Sequence, residues 1–411
     1  MTVDPAAQPP LTQNRNFLLY VAIRFFNVMA THALTVAVGW HVYMLTHDPL
    51  DLGLVGLAQF APALVLFLAA GMAADRYDRR RIVLVCNILH AAAAGLLFAA
   101  LSLGQGGVGV ILAILALHGA AKSFNHTATM ALLPNLVPPA QFPRAVALAS
   151  SVNKIAQLTG PPLGGLLVAW IGDGVYVTII VMFALAALAA ALIVADIKVR
   201  SDKTVGLDTV LDGFSYVWNN KIVLGAVSID LMAVLLGGVM GLLPVFASDI
   251  LHVGPDGLGL LRAMPAAGSL VMALVLARIA QPRHMGPTLF AALAVFGGSI
   301  IVFSLSETFW ISVVALAAYG AGDMVSVYVR QTLVQIATPD EMRGRVSAIN
   351  AISINASNEL GDFRAGTMAG FIGTVPAVLI GGIATLAVTA IWMKIFPAMR
   401  RVDRLDSIRV S

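Results

Sequence analysis

One cysteine, Cys86, in 411 residues leaves no partner for an internal disulfide. It also excludes a thiolate-cluster metal site and a Cys-x-x-Cys redox motif. Charge is nearly as scarce: Asp, Glu, Lys and Arg make up 11% of the chain against 59% hydrophobic residues, far from the balance of a soluble globular protein. No G-x-x-x-x-G-K-[ST] loop occurs, which argues against ATP-driven pumping by this chain. His-Glu-x-x-His and G-x-S-x-G are absent too, so no hydrolase constellation is offered, and no enzyme, cofactor or metal site is expected. The formal net charge of +4 comes from cations spread over loops and not gathered on one face, so nucleic acid is not an expected partner. Met1 to Asn14 holds no cation before Arg15. It lacks the features of a cleaved leader, and the first apolar segment is expected to remain as a membrane helix.

What is present is apolar length. A helix needs about 20 apolar residues to cross a hydrocarbon core of about 30 Å. Such spans are read at roughly 16–46, 51–74, 82–103, 107–133, 142–170 and 175–195, then 221–248, 257–277, 286–305, 309–336, 345–372 and 375–397. The expectation is an all-α polytopic membrane protein with twelve transmembrane helices. Loop charge sets its orientation. Arg76, Arg79, Arg80, Arg81, Lys198, Arg200, Lys203, Arg278, Arg283, Arg343, Arg345, Arg400, Arg401, Arg404 and Arg409 fall on one side, while the alternate loops carry no Lys or Arg. Both termini are then cytoplasmic. The domains expected are a six-helix bundle at 1–197, a cytoplasmic linker at 198–220 and a second six-helix bundle at 221–411.

The halves align with each other. Pro49 and Gly53 superpose on Pro255 and Gly259 with an offset of 206; Pro138, Arg144, Gly160 and Gly165 superpose on Pro339, Arg345, Gly361 and Gly366 with an offset of 201. A six-helix unit used twice is the pattern of transporters whose substrate site lies between repeats.

The turn Gly71-Met72-Ala73-Ala74-Asp75-Arg76-Tyr77-Asp78-Arg79-Arg80 resembles the signature loop of the major facilitator superfamily, G-x-x-x-D-[RK]-x-G-[RK]-[RK]. Asp78 replaces a glycine. The chain resembles that superfamily over almost its whole length. Within it, Ala22 to Phe25, Leu132 to Val137 and Thr338 to Val346 are similar to the enterobactin exporter group. Gly160-Pro161-Pro162-Leu163-Gly164-Gly165 resembles the core of the superfamily's antiporter motif. Small residues and proline there also suit close, bent helix packing whatever the direction of transport. The fourth-helix motif R-x-x-Q-G is not kept: Leu115 stands for its Arg and His118 for its Gln, so the proton relay given to that Arg does not carry over.

Ionisable groups inside a membrane are costly and are functional candidates by default. The repeat pairs Arg24 with Asp230 and Lys122 with Asp323, two cations in one half against two acids in the other. Arg24, Asn27, Thr31 and Thr35 share a face of the first span; His118, Lys122, Asn125, His126 and Thr129 share one of the fourth. The candidate cavity and coupling set is Arg24, Asn27, Thr31, His118, Lys122, His126, Asp230, Asp323 and Glu359. The four paired charges are alternatively plain salt bridges. Lys154, Glu359, Asp362 and Arg364 are weaker candidates; Asp362 and Arg364 are read as neutralising one another or snorkelling toward the outer end, with Arg262 as their alternative partner in an external gate. His32 and His41 are read as packers, and Tyr319 as cavity lining. Gly71, Asp75, Arg76, Arg79 and Arg80 form the candidate cytoplasmic gate, with Asp75 at the N-terminus of the eleventh helix.

The resemblance implies a secondary active transporter, and the expected function is export of a small organic molecule by proton-coupled antiport. An uptake symporter, an amphiphile or lipid translocator, and a non-transporting membrane sensor stay open. Expected partners are a small-molecule substrate, protons and the lipid bilayer, with the chain a monomer in a bacterial inner membrane.

Overall fold

The structure, a computed structural model, describes residues 10–104, 106–195, 207–278 and 284–400. A backbone in hydrocarbon must satisfy its own hydrogen bonds, and the chain does so with helices; no strand occurs among the described residues. The first six spans are α1 (Arg15–Thr46), α2 (Pro49–Arg76), α3 (Arg79–Ser102), α4 (Val108–Leu132), α5 (Phe142–Ile171) and α6 (Val175–Leu192). A short helix, α7 (Leu207–Asn219), precedes the seventh span, which is broken: α8 (Lys221–Gly237) is followed by a 3₁₀ turn, α9 (Leu243–Val245) and a π-turn at Phe246–Ile250. Then come α10 (Pro255–Arg278), α11 (Met285–Leu305), α12 (Phe309–Ala337), α13 (Asp340–Ile372), α14 (Thr374–Ile395) and α15 (Pro397–Arg400).

Ten segments are long and apolar enough to cross a membrane, and one of them, Pro139–Leu192, holds both α5 and α6. With α13, too rich in charge to be among the ten, the twelve expected spans are accounted for. Of the loop cations, Lys198, Arg200, Lys203, Arg283, Arg401, Arg404 and Arg409 lie outside the described residues.

The chain divides into two compact units, residues 1–40 with 58–205 and residues 41–57 with 206–411. In the first, α3 packs on α4 and α6, with Tyr20, Ile23, Val83, Leu132 and Ile193 in one buried cluster. In the second, α12 packs on α10 and α11, and α13 and α14 on α8, around Val223, Ile229, Leu289, Val329 and Leu333. The hairpin of residues 41–57 belongs to this unit: Gly53 lies against Phe363 and Gly366, and the Tyr43 hydroxyl donates to Asp249.

The repeat read from the sequence reappears as equivalent contacts inside each unit. Offsets of 206 and 201 take Gln59 to Pro265 and Gly119 to Gly320. Gly119 rests on the Gln59 backbone and Gly320 on the Pro265 backbone, each so closely that a Cβ would overlap a carbonyl. The same offsets take Met29 to Leu235 and Gly160 to Gly361; a Cβ on Gly160 would lie 3.1 Å from the Met29 oxygen and one on Gly361 3.2 Å from the Leu235 oxygen. Gly172 and Gly373, again 201 apart, end α5 and α13 with φ of +53° and +89°, a conformation that glycine adopts without a Cβ clash.

Overpacking a filled interface costs about 1–3 kcal/mol, and a clash with backbone cannot be relieved by a rotamer change. Gly119→Ala and Gly320→Ala are therefore expected to lower the melting temperature in detergent clearly. Gly71→Ala should not, because nothing lies within 4 Å of where its Cβ would be. Equal melting temperatures for all three would contradict these contacts.

Candidate functional site

The charged turn after α2 is built by helix ends. Asp78, at the position where the resembled loop has glycine, caps α3 by accepting the Arg80 N–H at 2.9 Å, an ordinary N-cap role. Arg79 donates to the Ala74 oxygen at 2.9 Å and the Ala131 oxygen at 3.1 Å, at the ends of α2 and α4. Arg80 reaches the Ile193 oxygen, just past α6, at 2.5 Å. Both cations sit where unpaired carbonyls and the negative helix end favour them. Asp75 lies 4.0 Å from Arg79, so the acid and the arginine expected to hold it are together, while Arg76 is exposed. Replacing Arg79 by Gln should loosen two helix ends at once, visible as faster backbone hydrogen exchange at the ends of α2 and α4; unchanged exchange there would contradict the capping role.

The antiporter-like segment packs α5 on α1. A Cβ on Gly160 would meet His32 at 2.8 Å, and one on Gly164 would meet Ala33 at 2.7 Å; Pro161 and Gly165 are buried beside them. Close approach of two backbones accounts for those glycines.

The polar stripe of α4 divides in two. Lys122 and His126 are exposed together with Met130, one turn further on. His118 is not with them: it is 1% exposed, its Nδ1 lies 2.9 Å from that of His90 on α3, and Phe183 of α6 packs on both rings. His118 is thereby corrected from the cavity to the interior of its own unit; it lies on the helix face that packs against α3. Asn27 belongs to a second interior network, donating to Asn87 at 2.8 Å, while Asn87 donates to Asn125 at 3.4 Å. Thr31 bonds back to the Asn27 oxygen at 2.8 Å within α1. Arg24 reaches Asn153 of α5 at 3.0 Å, Tyr20 at 3.4 Å and the Met130 sulfur at 3.7 Å.

In the second unit, Asp230 of α8 forms an ion pair with Arg330 of α12, with the two residues 4% and 6% exposed. Asp230 is thus held inside one unit and is corrected from a cavity acid to half of a buried pair. The seventh span breaks after Gly237, and α13 braces the break from both sides. Arg364 donates from Nε to the Leu235 oxygen at 3.0 Å and from Nη2 to the Leu236 oxygen at 2.6 Å, the unpaired carbonyls at the end of α8. Asp362 faces Gly241, whose N–H bonds to its carboxylate. Gly238 abuts the Gly361 backbone. Arg364 thus braces the end of α8 while staying within electrostatic reach of Asp362.

Around Asp362 gather further membrane charges of this unit. Arg262 of α10 is within electrostatic reach of Asp362 and Glu359, and Tyr319 of α12 is within reach of Asp323 and Asp362. Tyr319 also stacks on Phe296, centroids 4.4 Å apart, so it does more than line a cavity. The Glu359 carboxylate would lie 3.3 Å from a Cβ on Gly56.

Sequence reading missed Asn87, His90 and Arg330. Each is a polar group within an apolar span, so the rule that selected Lys122 would have found them; pairing charges by repeat passed over them, since Arg330 corresponds to Thr129.

Twelve spans, a duplicated six-helix unit and charged groups held within the bundles define a multi-pass membrane transporter. The Major Facilitator Superfamily profile matches residues 20–361, and the chain belongs to that family. Among curated proteins it is similar to the Enterobactin exporter EntS of Citrobacter koseri, 24% identical over 400 residues that cover 92% of this chain and 91% of that protein. It is also 24% identical over 402 residues to the EntS protein of Escherichia coli O1:K1, with the same coverages. Among solved structures it resembles a bacterial homologue of the human lysosomal transporter Spinster, with a TM-score of 0.70, 13% identity and coverage of 96% of this chain and 97% of that one. The nucleoside transporter NupG gives a TM-score of 0.71 at 12% identity, covering 94% of this chain and 99% of that chain. The family and the relatives are transporters, and small-molecule transport is the function they support.

Proposed function

We propose that the chain is an exporter of a small organic molecule that works by alternating access of the halves 1–197 and 221–411 and is driven by proton antiport across a bacterial inner membrane. The observation that carries the reading is the similarity to enterobactin exporters along nine-tenths of both chains. The group Arg262, Glu359, Asp362 and Arg364, with Asp323 linked to it through Tyr319, supports the coupling part: carboxylates and guanidinium groups lie within reach of one another inside the membrane segments, where a change in their spacing can take up or release a proton. Asp75 with Arg79 and Arg80 is the proposed cytoplasmic gate, and Arg24, Lys122 and His126 are the proposed substrate-facing groups.

The direct test is flux in proteoliposomes. Counterflow of a solute separates transport from sensing, and acceleration of efflux by an opposing inward proton gradient separates antiport from symport. Efflux that slows under that gradient would reject antiport. Orientation has its own check: reporter fusions at Arg79 and at Gly106 are expected on opposite sides, with Arg79 and both termini cytoplasmic. The same side for both fusions would reject the topology.

A further inference from the structure

The first unit holds basic side chains on one face of its membrane segments with hardly an acid to balance them. Between Arg15 and Trp40 and between Ala58 and Leu192 the acids are Asp75, Asp78 and Asp173, all at or just beyond helix ends, Asp75 beside Arg79 and Asp78 capping α3. Arg24 is therefore held by neutral groups. It donates to the Asn153 amide oxygen at 3.0 Å, to the Tyr20 hydroxyl at 3.4 Å and to the Met130 sulfur, a weak acceptor, at 3.7 Å. A guanidinium has five N–H donors, and Nε of Arg24 is buried with no hydrogen-bond partner.

The contact with Met130 fixes where this group lies. Met130 is on the exposed stripe of α4, one turn from His126 and two turns from Lys122, and His126 is within electrostatic reach of both Arg24 and Lys122. A guanidinium, an ammonium-bearing lysine and an imidazole thus come together from α1 and α4 on one exposed face. Asn153 and Tyr20 hold the guanidinium and leave donors over. The planar fork of Arg suits a carboxylate, sulfonate or phosphate, and Lys supplies a point charge that tolerates different shapes.

Resting on the transport reading above, we infer that Arg24, Lys122 and His126 form an anion-recognition site, and that the solute carried is an organic anion. Asn153 and Tyr20 act as positioning residues for Arg24. The site is sequence-legible only in part: the helical spacing of Lys122 and His126 shows it, but the approach of Arg24 from another helix does not.

The test uses purified full-length protein and matched triplets of small aromatic probes with one scaffold: naphthalene-2-sulfonate, naphthalene-2-sulfonamide and 2-naphthylmethylammonium. Thermal unfolding is followed at probe concentrations into the millimolar range, where binding to the folded state raises the melting temperature by mass action. The sulfonate is expected to stabilise and the other two not. Arg24→Gln and Lys122→Gln are each expected to weaken its binding by about tenfold, the loss associated with one charged hydrogen bond, and Lys122→Arg should restore most of it. Lys122 is exposed, so its replacement reads the site even where Arg24→Gln disturbs folding. Stabilisation by the cation or the neutral probe to the same extent, no stabilisation by the anion, or full anion binding in the Arg24→Gln, Lys122→Gln double variant would each overturn the site. Solute counterflow is measured on the same preparations. Counterflow without anion binding would defeat the inference alone; anion binding without counterflow of any solute would defeat the transport reading alone.

Discussion

Asp230→Asn is expected to destabilise the folded protein by about 3–5 kcal/mol, the usual result of leaving one member of a buried ion pair without its partner. Arg330 is 6% exposed and its other contact is a 3.3 Å hydrogen bond from Nε to the Ser326 oxygen. Once Asp230 is neutral, the guanidinium keeps a carbonyl and loses its counter-charge in a low-dielectric surrounding. Arg330→Gln should be damaging for the mirror-image reason. Replacing both, as Asp230→Leu with Arg330→Met, removes two desolvated charges together and should recover most of the stability, since an apolar pair of similar volume often equals a buried salt bridge. Melting temperatures of the four proteins in one detergent complete the cycle. A double variant no more stable than the singles would mean that each charge has its own separate role. If the recovered double variant also keeps gradient-driven flux, Asp230 has no part in coupling. A stable double variant that has lost driven flux would return it to the coupling set.

That pair shows where sequence reading ends. Span number, the repeat and its two offsets were legible because each depends on local signals: apolar length, loop charge, and glycines that recur where backbones touch. The contacts Gly119 with Gln59 and Gly320 with Pro265 fall where those offsets require. The partners of charged groups were not legible. Repeat arithmetic set Arg24 against Asp230, yet each bonds inside its own unit, Arg24 to Asn153 and Asp230 to Arg330. His118 shares a helical face with Lys122 at the resolution of a wheel diagram, but the α3 and α6 neighbours that bury it come from elsewhere in the sequence. Asp78 gives the converse lesson. The resembled loop has glycine at its position, while as the N-cap of α3 it has a definite local task. The seventh span reads as continuous over 221–248, and nothing local indicates either the break after Gly237 or that Arg364 and Asp362, over 120 positions later, hold its two sides.

Neutralising Asp362 is expected to uncouple transport while sparing exchange. Its carboxylate faces the Gly241 N–H, Glu359, Arg262 and Arg364, with Tyr319 also in reach. Arg364 is fixed on the carbonyls that end α8, so Arg262 is the cation shared between Asp362 and Glu359. If the second half of the seventh span shifts during the cycle, Gly241 withdraws from Asp362 and the charge balance of the group changes at one step, which is where a proton can enter or leave. In Asp362→Asn this position can no longer take up or release a proton when the group rearranges. Gradient-driven efflux from proteoliposomes should then fall by about tenfold or more, the equivalent of about 1.4 kcal/mol in a rate. Solute exchange at equal pH should remain within a few fold of the unmodified protein. The asparagine amide can still accept from Gly241, so folding is expected to be kept, and a melting curve checks this. Glu359→Gln and Asp323→Asn, made separately, distinguish the members of the group: the one whose loss abolishes driven efflux at every pH, with exchange intact, carries the proton. Full driven efflux by all three variants would move the coupling site out of this group. Loss of exchange along with driven efflux in Asp362→Asn would instead make Asp362 part of the moving hinge itself, bracing the break without exchanging a proton.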